Sequence, residues 1–125
     1  MVILRRQFHR PNTDILWYNE IIPPDEKWML RWLHYKESGK ILDWSHDTTP
    51  DNLTMNYMAI WADLNSFHEY DHDPDMDQYW AARDSYNATH GITMGEKILQ
   101  IYNQLNDVVE KVLPEGDWTI ESLNL

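Results

Sequence analysis

The densest group of ligand-type side chains lies in the ten-residue stretch H-E-Y-D-H-D-P-D-M-D, residues 68–77. His68 and His72 are four residues apart, so on a helix they would share one face and could reach one metal ion. Glu69, directly after the first histidine, completes the H-E-x-x-H pattern of zinc-protease helices. The chemistry to be tested at this stretch is therefore metal-assisted hydrolysis.

The neighbours of this stretch favour a structural interpretation. Pro74 stops a helix two residues after the second histidine, and no H-x-x-G-x-x-H motif supplies a third ligand. Calcium fits less well, because no acidic register puts glycine at the sixth position of the loop and glutamate at the twelfth. His72 would end one helix, and Asp73 is a good N-cap for the next. We therefore predict a junction between two helices, without metal, at which His68 and His72 face solvent.

A second candidate site is a cavity between a sheet and its helices, lined by aromatic rings and a few polar groups. Small-molecule sites have this composition, although aromatic residues at helical and strand spacing also form ordinary cores. His46 or His90 could serve as a general base, but the sequence specifies no partner for either. The predicted ligand contacts are Trp32, Trp44, His46, Asn56, Tyr57, Trp61, Arg83, Asn87 and His90, with Trp80 as a further aromatic wall.

Composition limits the other function classes. The 125 residues are 42% hydrophobic and 13% aromatic, which is enough for one domain over residues 1–125. The absence of cysteine excludes disulfides, thiolate zinc sites and a cysteine nucleophile. A net charge of −11 disfavours a nucleic-acid partner, and the four glycines form no phosphate loop or dinucleotide fingerprint. Because no segment is long and apolar enough to span a membrane, we expect a cytoplasmic protein with no membrane partner.

The elements that must position these side chains begin with a strand over residues 2–9, followed by an ordered apolar loop over 12–23. A helix is predicted over 24–38. Pro24 suits its first position, acidic residues follow in its first turn, and Gly39 suits the residue after its end.

The next two strands are predicted at residues 40–45 and 53–62, paired as a hairpin around a turn-rich loop. The second strand has two largely apolar faces. Because one layer of helices covers only one face of a sheet in so short a chain, we expect the other face to meet a second subunit. One face would carry Met55, Tyr57, Ala59 and Trp61, and the other Met58 and Ile60, moderated by Thr54 and Asn56.

Two helices flank the junction. Ser66 and Glu69 have the spacing of a capping box, which predicts a short helix that begins near Ser66. The second helix begins at Asp73-Pro74, with acids in its first turn, and ends at Gly91.

The last third of the chain allows two interpretations. Apolar residues between Thr93 and Pro114 recur at helical spacing for more than four turns, which favours a third helix. In that case residues 117–123 would form a final edge strand. Alternatively, I-L-Q-I-Y at residues 98–102 is the last strand of the sheet.

Strand, helix, hairpin, helix and a last element is the order of a ferredoxin-like α+β fold. The segment T-M-N-Y-M-A-I-W-A-D-L-N-S-F-H-E-Y, followed by D-P and Y-W-A-A-R-D-S-Y-N, resembles the dimeric α+β barrel superfamily, including antibiotic-biosynthesis-monooxygenase-like and NIPSNAP-like domains. The opening strand and R-P-N-T-D at residues 10–14 are similar to small ferredoxin-like proteins of marine phage and marine metagenomes. This resemblance covers residues 53–88 and the first fourteen. It implies an antiparallel sheet with helices on one face and a homodimer through the other.

Two functions remain. The first is a homodimeric small-molecule-binding or accessory protein without a cofactor of its own. The second, which the resemblance implies, is a cofactor-independent oxygenase or isomerase that acts on a small aromatic or quinone-like substrate. The enzyme requires an open cavity with a polar group at its base, so a fully packed tryptophan-rich interior would exclude it.

Overall fold

The computed structural model describes residues 1–23, 26–105 and 107–125, which form an α+β fold. Short 3₁₀ helices lie at Tyr18–Glu20, Pro74–Met76 and Glu121–Leu123. The strands and α-helices of the described residues are β1 (Val2–His9), α1 (Lys27–Glu37), β2 (Ile41–Thr48), β3 (Thr54–Trp61), α2 (Leu64–Asp71), α3 (Asp77–His90), β4 (Thr93–Met94), β5 (Lys97–Tyr102) and β6 (Val108–Leu113).

The sheet is antiparallel and has the order β2-β3-β1-β5-β6, with the short β4 also paired to β1. The predicted first strand is confirmed, and so is the hairpin of β2 and β3. β1 is the central strand, because it pairs with β3 along its whole length and with β5 over its first half.

The helices cover one face of this sheet, here called the inner face. Leu4 of β1 lies opposite Ala59 of β3 and Leu99 of β5, and all three are buried. Tyr35 of α1 and Phe67 of α2 belong to the same core cluster. The strand pattern in β3 is as predicted, because Ala59 faces the helices while its neighbours Met58 and Ile60 point to the outer face.

The first helix differs from the prediction at its start. α1 begins at Lys27, and the prediction that Pro24 and Asp25 occupy its first turn lies outside the described residues. The predicted end is confirmed, since the helix stops at Glu37 and Gly39 follows in the left-handed region with φ of 75°.

The prediction of a third helix between residues 93 and 114 is wrong, because β5 and β6 form a hairpin there. The alternative is correct in making residues 98–102 a strand, within β5, but β6 follows it, so it is not the last strand of the sheet. Pairing with β1 buries Leu99 completely, and this tertiary contact outweighs the helical spacing of the apolar residues. Residues 117–123 do not form the edge strand predicted for the helical case; instead Trp118 packs into the core, and a 3₁₀ turn follows.

α2 begins two residues before the predicted position. Asp63 is its N-cap, and the carboxylate of Asp63 accepts a 2.7 Å hydrogen bond from the backbone N–H of Ser66. The predicted N-cap at Asp73 is confirmed, but it begins the 3₁₀ turn Pro74–Met76, and α3 itself starts at Asp77. Asp73 accepts from the backbone N–H of Asp75 at 2.9 Å, and α3 ends at Gly91 with φ of 71°.

Candidate functional site

The two histidines of the junction are half-buried, which differs from the prediction that they face solvent. Their rings stack on each other with centroids 4.2 Å apart, and both are packed against Trp118. The C-terminal segment that carries Trp118 crosses over the junction. No local sequence signal indicates this covering, because the contact joins residues almost fifty positions apart.

Three of the four imidazole nitrogens are engaged by backbone groups. His68 Nε2–H donates to the carbonyl of Trp118 at 3.1 Å, and His72 Nδ1–H donates to the carbonyl of His68 at 2.9 Å. The backbone N–H of Trp118 donates to His72 Nε2 at 3.3 Å. In the described part of the chain, no group of three or more His, Cys, Asp or Glu side chains could hold a metal ion. The geometry therefore gives this pair a structural task, which is to hold the C-terminal segment.

The carboxylate of Asp73 anchors the junction to α1. Its Oδ2 accepts hydrogen bonds from Tyr35 Oη at 2.7 Å and from Arg31 Nη2 at 2.7 Å. Burial alone would raise the pKa of Asp73, but the hydrogen bonds from Tyr35, Arg31 and the backbone of Asp75 outweigh it and lower that pKa. Burial and the same hydrogen bond raise the pKa of the Tyr35 phenol.

A cavity of about 740 Å³ lies between the inner face of the sheet and the helices. This volume falls within the range of small-molecule sites, about 300–1,000 Å³. Its floor includes Arg6 and Phe8 of β1, and its roof includes Trp28 of α1 and Trp80 of α3. The tryptophan-rich interior is therefore not fully packed, which is compatible with both predicted functions.

The structure brings most of the predicted ligand contacts together and separates three of them. Trp61 is completely buried in the core outside the cavity lining. Asn56 lies on the outer face, where it accepts a 2.8 Å hydrogen bond from Gln7 Nε2. His90 is exposed at the end of α3 and stacks on Tyr86. The predicted residues that line the cavity are Trp32, Trp44, His46, Tyr57, Arg83 and Asn87, together with Trp80.

Paired aromatic rings form the walls of the cavity. Trp28 stacks on Tyr79 with centroids 4.4 Å apart, and Trp32 meets Trp44 edge to face at 4.3 Å. The Nζ of Lys36 lies 4.9 Å from the Trp44 ring, which is within cation–π distance. The first pair was not among the predicted contacts, although Trp28 precedes Trp32 by one helical turn and could have been included on that spacing.

Three tyrosines of the cavity remain protonated at neutral pH. Burial raises the pKa of Tyr57 to about 12, and the charge of Arg83 offsets part of this increase. Burial also raises the pKa values of Tyr70 and Tyr79, again partly offset by Arg83. Their phenols can donate hydrogen bonds to a ligand but do not act as bases near pH 7.

Charged side chains line part of the same cavity, including Arg6, Arg83 and Lys97. Arg6 also was not among the predicted contacts, although strand alternation puts it on the same face as Leu4 and Phe8. Glu115 carried no local signal, because only the path of the C-terminal segment brings it to the cavity and to Arg6.

None of the helices in the described ranges combines the length and apolarity required to cross a membrane. Comparison with protein-family models, curated proteins and solved structures finds no match to this chain.

Proposed function

We propose that the protein binds a small molecule in the cavity between its sheet and helices, as a homodimeric accessory domain without a cofactor of its own. The observation that carries this proposal is the cavity of about 740 Å³ itself, with stacked aromatic walls and a few polar groups. Aromatic rings supply apolar contact area, and the polar groups orient the ligand.

The proposed fold is ferredoxin-like, in line with the dimeric α+β barrel superfamily that the sequence resembles. The support is the strand order β2-β3-β1-β5, in which each helical crossover skips one strand: β1 to β2 across β3, and β3 to β5 across β1. β6 would then be an addition at the edge beside β5.

The proposed dimer forms through the outer face of the sheet. The inner face is covered by the helices, whereas Met58, Ile60 and Ile98 are half-buried apolar side chains on the outer face, with the buried Ile3 of β1 between them. Val108 and Val112 extend this face at β6 and are exposed. A second copy would bury this surface, since contiguous exposed apolar patches commonly mark interfaces.

The alternative function is a cofactor-independent oxygenase or isomerase with a small aromatic or quinone-like substrate. The open cavity with polar groups along its floor favours it, and His46 lies there beside Tyr57, with ring centroids 6.3 Å apart. The protonated state of the three tyrosines weakens it, because they offer no base at neutral pH.

Titration with N-phenyl-1-naphthylamine, a neutral dye whose fluorescence rises in apolar sites, tests the binding proposal. The matched variants are Met55→Trp, which puts a larger side chain into the cavity, and Met58→Trp, which puts the same side chain on the outer face of β3. We expect Met55→Trp to weaken dye binding by about tenfold or more, because the added ring occupies ligand volume.

Met58→Trp should leave the affinity within about twofold, a difference well below 1 kcal/mol. Circular dichroism establishes that both variants are folded. If the wild-type protein does not bind the dye, or if both variants weaken binding equally, the cavity is not the ligand site and the proposal fails.

A further inference from the structure

The charged end of the cavity contains three cations whose partners differ in burial. The side chains of Lys97 and Asp71 are both 12% exposed and form an ion pair at 3.3 Å. Asp71 Oδ2 also accepts a 2.7 Å hydrogen bond from Trp118 Nε1. Because both charges of this pair are shielded from water and hydrogen-bonded, Lys97 stays paired with Asp71 and does not bind a ligand.

The partner of Arg6 is much less buried. The side chain of Arg6 is 5% exposed, whereas the side chain of Glu115, with which it pairs, is 61% exposed. A carboxylate in contact with water gains little from such an ion pair, because solvent screens the charge and the side chain loses conformational freedom. Arg6 is therefore a buried cation whose present counter-ion is easily exchanged.

The geometry of Arg6 leaves donors for a ligand. Its Nε donates to the carbonyl of Gly95 at 3.0 Å, and its Nη2 donates to Glu115. A guanidinium has five N–H donors, so these two bonds do not exhaust its capacity. In the sheet, Arg6 lies directly opposite Tyr57, whose phenol is a further donor in the same cavity.

A second arginine strengthens the positive potential at this end. Arg83 lies over the Trp80 ring at 4.9 Å, and its carboxylate partner, Asp84, has a side chain that is 51% exposed. Burial lowers the pKa of Arg6, and the charge of Arg83 lowers it further, although Glu115 acts in the opposite direction. An anion near both guanidiniums would relieve this repulsion.

We propose that the ligand of this cavity is an aromatic carboxylate, whose ring lies among the tryptophans and tyrosines and whose carboxylate replaces Glu115 on Arg6. This inference rests on the proposed binding function and specifies its ligand class. Arginine suits this task, since its planar fork matches a carboxylate in two parallel hydrogen bonds. Glu115 then acts as an internal competitor that keeps Arg6 paired in the free protein.

Three probes with the same ring system and different charges test the inference: 2-naphthoate, its neutral amide 2-naphthamide, and the cation 2-naphthylmethylammonium. Each is titrated as a competitor of N-phenyl-1-naphthylamine at fixed salt. We expect the carboxylate to bind about tenfold or more tightly than the amide, as one charge-assisted hydrogen-bonded pair would give. The cation should bind most weakly.

Glu115→Gln is the decisive variant, because it removes the competitor without changing the cavity wall in size. We expect it to tighten 2-naphthoate binding several-fold and to leave 2-naphthamide unchanged. Glu121→Gln, which removes an exposed acid of the same segment outside the cavity lining, is the matched control and should change neither affinity. Arg6→Met should abolish the preference for the carboxylate over the amide. If Arg6→Met does not fold, the Glu115→Gln result still tests the inference.

The outcomes separate the two proposals. If the dye binds but the three probes compete equally, or if Glu115→Gln leaves the carboxylate affinity unchanged, the ligand class is wrong while the binding site stands. Stronger competition by the cation likewise overturns the ligand class. If the dye itself does not bind, the proposed function fails together with the ligand class.

Discussion

The hydroxyl of Tyr35 donates a 2.7 Å hydrogen bond to the carboxylate of Asp73, and both side chains are buried. The contact joins the last turn of α1 to the junction between α2 and α3. Arg31 reaches the same carboxylate from one helical turn earlier. The buried carboxylate of Asp73 is therefore a polar attachment point for the roof of the cavity, formed with residues that are about forty positions away in the chain.

Replacement of Tyr35 by phenylalanine should destabilise the protein by about 1–3 kcal/mol, because Asp73 loses a buried hydrogen bond that water does not replace. Urea denaturation measures the free energy of unfolding. Tyr86→Phe is the matched control, since it removes a solvent-exposed hydrogen bond from Tyr86 to the carbonyl of Leu16. The control should change stability by about 0.5 kcal/mol or less. Equal effects of the two variants would contradict the attachment point.

Asp73 should make the stability fall in acid. Its pKa is lowered on folding, so its contribution is complete above the unfolded value, near 3.9, and is lost as the pH falls through the folded value. Asp73→Asn is therefore expected to be less stable than wild type at pH 7, with a difference that shrinks below about pH 4. Denaturation at several pH values measures this. Asp47→Asn, at an exposed position of β2, is the control, and its free energy of unfolding should depend on pH in the same way as that of the wild type. A difference that persists unchanged into acid would contradict the linkage.

The protein should contain no stoichiometric zinc when purified without an affinity tag. The H-E-x-x-H pattern is present, but His68 and His72 use their ring nitrogens on backbone groups of the C-terminal segment and of α2. Elemental analysis of the wild type and of the His68→Ala, His72→Ala double variant tests this expectation. Zinc at one equivalent that disappears in the double variant would show that the pair is a metal site.

The proposed dimer should depend on the outer face of the sheet. Ile60→Lys puts a charge among apolar side chains of that face and should convert the dimer to a monomer, because a buried unpaired charge is costly. Leu30→Lys makes the same kind of change at an exposed position of α1 and should leave the dimer intact. Light scattering at micromolar concentration measures the mass. A wild-type monomer would remove the dimer proposal.

Local signals predicted the elements whose boundaries depend on nearby residues. Asp73 caps the 3₁₀ turn that leads into α3, and Gly91 ends α3 in a left-handed conformation; both are set within a few positions. Alternation in β3 correctly separated Tyr57 from Met58. The same alternation puts Asn56 on the outer face, so the prediction of Asn56 as a ligand contact is inconsistent with the strand pattern.

The remaining errors concern long-range contacts. Residues 98–102 satisfy both helical and strand patterns, and pairing with β1 decides between them. Trp118 covers the histidines, and Glu115 reaches Arg6, from a segment that has no regular structure around these two residues. A single sequence does not specify such partners, because many arrangements bury a tryptophan or pair a glutamate equally well.

The central position of β1 has a consequence for folding kinetics. The first strand of the chain pairs with β3 and β5, which are synthesised much later, so few of its contacts are local. Proteins dominated by non-local pairing fold more slowly than helical proteins of the same size, because long loops must close before the contacts form. We expect folding on a millisecond-to-second timescale, with β1 dependent on β3 for its first lasting partner.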